Sequence, residues 1–305
     1  MKQILSLTKR NVKLFFRDKG MLISSLITPV ILLFLYAVFL FDIYRDTFTS
    51  AIPAGIPYDK DIIDGLVGGL LLSSLLAVST ITVSFCANLY MVQDKVTKAR
   101  NDLTITPVKP YKIALGYYFG TFCNGMIISL VALTLGCVYL AFTGWYLSFL
   151  DILALLGDVI LLVLLGTSLS SLICYPLTTQ GQLSAVGTII SAGYGFLCGA
   201  YMPLAQYGEG LRNVLMCLPG TYGTSLLRNH ALRGVYAEME SQNFPAEALD
   251  AMKTVSDCHI EFFGHRVEVW QMYLVLAGAV VVLTGGYILI HYIAGKCRKK
   301  QKKTK

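Results

Sequence analysis

Apolar residues in this chain gather into long runs, with neither the strict alternation of a half-buried strand nor the half-polar period of a soluble helix. Six runs reach about 20 residues, the length that crosses a hydrocarbon core. They cover residues 21–41, 63–87, 113–142, 152–177, 183–202 and 269–294. The fifth is the least regular, because glycines crowd its end and Pro203 follows it. This pattern predicts an all-α integral membrane protein with six transmembrane helices. The first run is too long for a signal-peptide core and precedes no small-residue cleavage site, so it reads as a mature span.

The first 19 residues have a different period. At about 100° per residue, Ile4, Leu5, Leu7, Val12, Leu14, Phe15 and Phe16 share one side of a helical wheel, opposite Lys2, Lys9, Arg10, Lys13 and Arg17. Such a helix lies in the membrane interface, with Lys13, Phe15, Phe16 and Arg17 as its key positions. The plainer alternative is a basic flank of the first span.

Between the second and third runs stands "MVQDKVTKARNDLTITPVKPYK", residues 91–112. Val92, Val96, Ala99 and Leu103 are spaced four, three and four apart, which predicts a short amphipathic helix with Asp94, Lys95, Lys98 and Arg100 on its wet sides. Pro107 stops it, and Pro110 suits the first turn of the next span. Lipid binding alone would not call for Asp94 and Asp102 or for so abrupt a stop. A surface for a cytoplasmic protein fits better.

Within the second run, Gly69, Ser73, Ala77, Thr80, Ser84 and Asn88 recur every three or four residues as a small, polar stripe. Such stripes let helices approach closely, and they also suit the wall of a pathway; both readings stay open. Asp158 is the one carboxylate well inside a run, which points to a paired or functional role. After the fifth run, Pro203 and Pro219 bracket a segment too short to cross and too apolar to stand free in water. A re-entrant hairpin on the outer side fits it. Residues 235–266 are polar and acidic, an outer loop long enough for a small helical cap. His230, His259 and His265 fall in or near this region without metal spacing and read as solvated surface.

Composition agrees with the pattern. The 305 residues are 55% hydrophobic and only 14% charged, against about 25% charge in a soluble domain. Lys2 to Lys19, the 91–112 stretch and the tail "GKCRKKQKKTK" together hold 18 of the 25 Lys and Arg residues. The positive-inside rule makes that side cytoplasmic, with both termini inside. The net charge of +7 follows from this topology and from attraction to anionic membrane lipids, without nucleic acid. The eight cysteines are scattered and mostly inside runs, where they read as packed thiols. Cys217 and Cys258 fall on the outer side, where one disulfide is conceivable.

Several chemistries find no residues. GxxxxGK followed by Ser or Thr is absent, so the chain carries no phosphate loop of its own. HExxH and GxSxG are absent too, and His291 is the only histidine within a run.

The order of these features resembles the type-2 ATP-binding-cassette (ABC) transporter permeases, membrane subunits of many bacterial drug, polysaccharide and peptide exporters. The matching pieces are the basic amphipathic N-terminal helix, "DKVTKARNDLTITPV", and "YMPLAQYGEGLRNVLMCLPGTYGTSLLR". Together they take in essentially the whole chain. The resemblance implies one permease domain over 1–305 in a bacterial cytoplasmic membrane. It implies pairing with a second permease copy or paralogue and with two copies of a cytoplasmic ABC ATPase. ATP and Mg would sit on that ATPase, with no cofactor held directly here.

Residues 91–107 would then be the coupling loop, with Val92, Asp94, Lys95, Val96, Ala99, Arg100, Asp102, Leu103 and Pro107 as its contacts. Ser73, Thr80, Ser84 and Asn88 would line the translocation path. Tyr201, Met202, Pro203, Leu218 and Pro219 would form an outer gate within the 203–268 region, and 296–305 a basic cytoplasmic tail. The expected activity is alternating-access export of an amphipathic substrate such as a drug, antimicrobial peptide or lipid-linked molecule. A channel or receptor without ATP coupling, or a membrane-embedded enzyme, is the alternative. The 235–266 loop is longer than the family's short forms need, so the substrate does not carry over.

Overall fold

The computed structural model describes residues 1–51, 59–106 and 108–301. The last four residues of the expected basic tail lie outside this range. Helix α1 (Lys2–Arg17) ends where Asp18 takes an extended backbone. The Asp18 carboxylate then caps α2 (Lys19–Leu35), accepting from Met21 N at 3.2 Å. A π-helical turn (Tyr36–Leu40) carries α2 into α3 (Phe41–Ala51), so the first span runs on past its predicted end at 41.

Helix α4 (Lys60–Val96) has 37 residues and is about 55 Å long. After it come α5 (Ala99–Ile105), α6 (Pro110–Thr143) and α7 (Phe149–Cys174). Pro110 stands in the first turn of α6, as expected. A reciprocal capping box between Ser148 and Asp151 starts α7 earlier than the apolar run does. Helix α8 (Gln180–Leu197) is followed by α9 (Glu209–Leu215), α10 (Pro219–Ser241) and α11 (Ala246–Val255). A two-residue antiparallel hairpin, β1 (Glu261–Phe262) with β2 (His265–Arg266), leads into α12 (Val269–Gln301).

Among the described residues, five helices are long and apolar enough to cross a membrane: Lys19–Ser50, Lys60–Val96, Pro110–Thr143, Phe149–Cys174 and Val269–Ile293. The expected fifth span is α8. It has 18 residues, opens with Gln180 and Gln182, and stops at Leu197 rather than 202, so it falls outside these five.

Helix α4 is the axis of the bundle. Its most apolar stretch is wholly buried, whereas the corresponding stretches of Lys19–Ser50 and Val269–Ile293 are 17% and 11% buried. The cause is in the sequence: α4 is apolar all round, which suits a helix enclosed by others, and its small residues admit neighbours closely. Ser84 shows this well. A methyl at Gly166 of α7 would lie 2.9 Å from it and one at Gly125 of α6 3.2 Å, so only glycine lets three helices meet there.

Helix α10 runs on through Val235 to Ser241, into the region expected as a polar outer loop with a small helical cap. It is a continuous 23-residue helix whose Leu226, Leu227 and Leu232 are fully buried. It packs against α4, α7 and α12, with Gly223 against Leu162. Its first turn reaches the end of α8, where Thr221 donates to the Leu197 carbonyl at 3.5 Å.

The two ends of the bundle differ. At one end lie α1, α5 and the close of α12, whose Tyr287 donates to the Ala114 carbonyl at 3.3 Å. His291 packs edge-on between Tyr175 and Tyr287, 4.7 Å from each ring. At the other end α11 and the hairpin form a cap. Arg228 of α10, buried, binds Asp257 of the cap and the Gly199 carbonyl, the latter at 2.7 Å. Asp257 also accepts from Leu204 N at 2.8 Å, so one carboxylate ties cap, α10 and the turn after α8 together. Burial raises this carboxyl above its usual range, against the opposing charge of Arg228.

Candidate functional site

The end carrying α1 and α5 is the strongest candidate, because charged side chains join three helices there. Helix α1 lies along α6. Asn11 Nδ2 donates to the Gly116 carbonyl at 3.1 Å, while Leu7 and Asn11 press so closely on Gly116 and Gly120 that a methyl at either glycine would clash. This gives one of the GxxxG pairs in the sequence, Gly116 with Gly120, a helix-docking role. Phe15 is fully buried against Val83, Ala87 and Ile128. Phe16, one residue on, is exposed, as are Lys13 and Arg17. Tyr90 of α4 donates to the Leu14 carbonyl at 3.0 Å and to Asp18 at 3.1 Å, holding the far end of α1.

Asp94 stands at the centre. Arg10 of α1 donates to its Oδ2 at 2.8 Å, and Tyr117 of α6 donates to the same oxygen. Burial alone would lower the Arg10 guanidinium, but the hydrogen bond and charge of Asp94 outweigh it, so Arg10 is raised. The sequence pattern sets Asp94 on the wet side of a docking helix; the structure instead turns it inward and buries it, with Val92 buried beside it.

The expected amphipathic helix also divides. Val92, Asp94 and Lys95 belong to the end of α4, and Lys98, in the left-handed region at φ 63°, breaks the chain before α5. Lys95 Nζ donates to the carbonyls of Tyr175 and Leu177, the latter at 3.0 Å, capping the end of α7 instead of facing solvent. Val96 is exposed. On α5, Ala99, Arg100 and Leu103 are half-buried and Asp102 is exposed. Pro107 lies outside the described residues. The turn at Thr97–Lys98 with α5 therefore forms the outward surface, and α4 and α1 form the rigid support beneath it.

The four stripe residues are buried inside one chain. Ser73 and Thr80 return their hydroxyls to the Leu70 and Leu76 carbonyls at 2.8 and 2.9 Å, and Ser84 to Thr80 at 2.6 Å. Asn88 donates to Ser170 and Ser171 of α7 at 3.2 and 3.3 Å and accepts from Thr121 of α6. In this conformation the stripe is helix packing rather than an open wall.

At the cap end, Tyr201 and Met202 are half-buried and Pro203 is buried. Tyr201 folds back on α8, its ring 5.1 Å from Phe196. Leu218 is exposed together with Leu211 and Val214, and Pro219 begins α10. Cys217 and Cys258 are both free; Cys258 is buried, its thiol pushed up to about 12 by burial.

His230 corrects the expectation of a solvated surface histidine. Its Nδ1 lies 2.6 Å from Asp158 Oδ2, and Tyr273 donates to Asp158 Oδ1 at 2.6 Å, so the intramembrane carboxylate has found its partners in α10 and α12. The structural roles of Arg10, Arg228 and Asp257 do not follow from the sequence pattern. A signal for Arg228 is present all the same: one arginine in a stretch of small and apolar residues is a buried cation in search of a carboxylate. Among the described residues no group of three or more His, Cys, Asp or Glu is placed to hold a metal ion.

Comparison with known families gives one match. The profile described as ABC-2 type transporter matches residues 2–231. No curated protein matches the chain. The match takes in α1 to the middle of α10, including α1, α4, α5 and α6 around Asp94, and the chain belongs to the ABC-2 type transporter family. It is a permease component of an ABC transporter, a multi-pass membrane protein.

Proposed function

We propose that this permease drives export of an amphipathic substrate, a drug, an antimicrobial peptide or a lipid-linked molecule, powered by a separate cytoplasmic ATPase. Two ATPase copies would bind ATP and Mg and dock on α5 and the Thr97–Lys98 turn. The observation that carries this reading is the Arg10–Asp94–Tyr117 clamp, which makes α1, α4 and α6 one body directly beneath that surface. A push on α1 or on the end of α4 then reaches the axis of the bundle through that clamp.

In this reading the α1–α5 end is cytoplasmic, as its cations require, in a bacterial cytoplasmic membrane. Helix α8 is the sixth crossing, short because its partner completes its environment. Its exposed face carries Ser184, Ala185, Thr188, Ser191 and Ala192, small residues that suit close helix contact with a second permease copy or paralogue. The α9–α10 hairpin dips into the outer leaflet, exposing Leu211, Val214 and Leu218, and gates the route with Tyr201 and Met202. Outward opening then means separating α4 from the helices that now cover Ser73 to Asn88.

Co-purification tests it. The ATPase encoded with this permease should be captured by the full chain, and Val96→Asp should abolish capture and stimulated ATP hydrolysis while insertion is kept. Capture and stimulation unchanged by Val96→Asp would put the docking site elsewhere, and failure to engage any ATPase would favour a channel.

A further inference from the structure

A cavity of about 400 Å³ opens between α10, α11, the cap and the first turn of α12. Arg233, Tyr236, Glu240 and Lys253 line it, all beyond residue 231, where the match to the family ends. Three polar lining groups follow one another on α10 as His230, Arg233 and Glu240. Spacings of three and seven residues put them on one helix face, with about 10 Å of rise between Arg233 and Glu240.

Each group is held from behind and leaves atoms for a ligand. His230 spends Nδ1 on Asp158, so Nε2 is its remaining nitrogen. Arg233 Nε lies 2.6 Å from Asp151 Oδ1 as an ion pair, and its two terminal NH₂ groups have no protein partner among the described residues. Glu240 takes Lys253 Nζ on Oε1 at 3.1 Å, which leaves Oε2. Lys253 also sits over the Tyr236 ring at 5.3 Å. His259, next to Asp250 and Arg266, completes the polar lining.

The charges are balanced but separated. Asp151 stands behind Arg233, Asp158 behind His230 and Lys253 beside Glu240, so a ligand with net charge gains little. A ligand with acceptor oxygens at one end and N–H donors at the other still gains, because the remaining Arg233 donors and the Glu240 Oε2 acceptor lie at opposite ends.

Depth narrows the source. Asp158 and Tyr273, beneath His230, lie within membrane-crossing helices, and Val269 at the start of α12 lines the cavity. Trp270 beside it is 61% exposed, an indole at the level where spans meet water. The cavity therefore opens at the boundary of the bilayer.

We propose that this cavity binds a phosphoethanolamine headgroup, with the phosphate on Arg233 and the primary ammonium on Glu240. The site stands apart from ATP coupling and needs no partner ATPase.

The test uses the full chain, purified in detergent, stripped of lipid and offered phosphatidylethanolamine, phosphatidylcholine or phosphatidylglycerol, with bound lipid counted by native mass spectrometry. Phosphatidylethanolamine should be retained over the other two, because choline has no N–H to give Glu240 and glycerol has no cation. Arg233→Gln and Glu240→Gln should each weaken that retention about tenfold, as expected for one lost charge-assisted hydrogen bond. Glu240 is surface-exposed, so Glu240→Gln keeps its fold even if loss of the Arg233–Asp151 pair does not. Free phosphoethanolamine forms a second arm: competition by it assigns the recognition to the headgroup alone, and no competition assigns it to headgroup and chains together. Equal retention of phosphatidylglycerol, or Glu240→Gln binding phosphatidylethanolamine like the parent chain, overturns the proposal.

Discussion

The Arg228 guanidinium and the Asp257 carboxylate meet with 1% and 3% of their side chains exposed, so the pair that fastens the cap to α10 is shut off from water. Removing one member leaves the other charge buried and uncompensated, a loss of about 3–5 kcal/mol. Arg228→Met should therefore lower the unfolding midpoint in detergent sharply and open the cap to proteolysis. Arg228→Met combined with Asp257→Asn should recover part of the loss, since neither charge then remains. A single variant as stable as the parent chain would show that the pair contributes nothing.

The clamp at the opposite end gives a prediction about coupling. If Arg10 and Asp94 act as one unit, Arg10→Met and Asp94→Asn each reduce stimulation of the ATPase proposed to dock here, and the double variant is little worse than either single one. Additive losses in ATPase rate would mean that the two residues act separately.

Adjacent phenylalanines should differ strongly. Phe15 is buried in the contact of α1 with α4 and α6, so Phe15→Ser removes an aromatic ring from a packed site, at a cost of about 3–5 kcal/mol. Phe16 is exposed, and Phe16→Ser should leave thermal stability nearly unchanged. Equal damage from both would show that α1 is held by membrane insertion rather than by docking.

The cap should weaken in mild acid. Burial depresses His259, with Arg266 adding to the effect and Asp250 opposing it. The unfolded chain then takes up this proton before the folded one does, so stability is complete above the ordinary value of 6.5 and falls as pH drops through it. Unfolding midpoints taken at about pH 8 and about pH 5 should show a decrease that is smaller in His259→Gln. An identical decrease in both proteins would assign the effect to other groups.

The stripe on α4 gives a conditional prediction. Single cysteines at Thr80 or Ser84, in a background without native cysteines, should resist a water-soluble maleimide in the resting protein, because both positions are fully buried. Labelling that appears only during ATP turnover would support a route that opens along α4. Labelling at rest would contradict the packing of α4 against its neighbours.

Much of the fold is legible in the amino-acid sequence alone. Uninterrupted apolar runs of this length are satisfied in lipid or in a helical core, so the helical class and five of the six expected spans follow from composition and length. The separation of cations from apolar residues in α1, and the proline in the first turn of α6, rest on local geometry and show directly in the residue order. Asp158 is conspicuous for a related reason, since a carboxylate inside an apolar run demands a partner.

The partners themselves come only with the tertiary structure. Asp158 with His230, Arg228 with Asp257, and Arg10 with Asp94 are separated by 72, 29 and 84 residues, and nothing local encodes which distant charge each will meet. The same holds for α4. Its sequence shows a polar stripe that suits either a pathway or a contact, and only the enclosure of that helix by its neighbours decides for contact in this state. The second half of α10 has the composition of a polar loop; it packs as a helix because Leu232, Val235, Tyr236 and Met239 find buried places once the chain folds. Residue type and spacing determine which groups must be satisfied, whereas packing decides by what, because burial energy depends on neighbours that the chain brings together only when it folds.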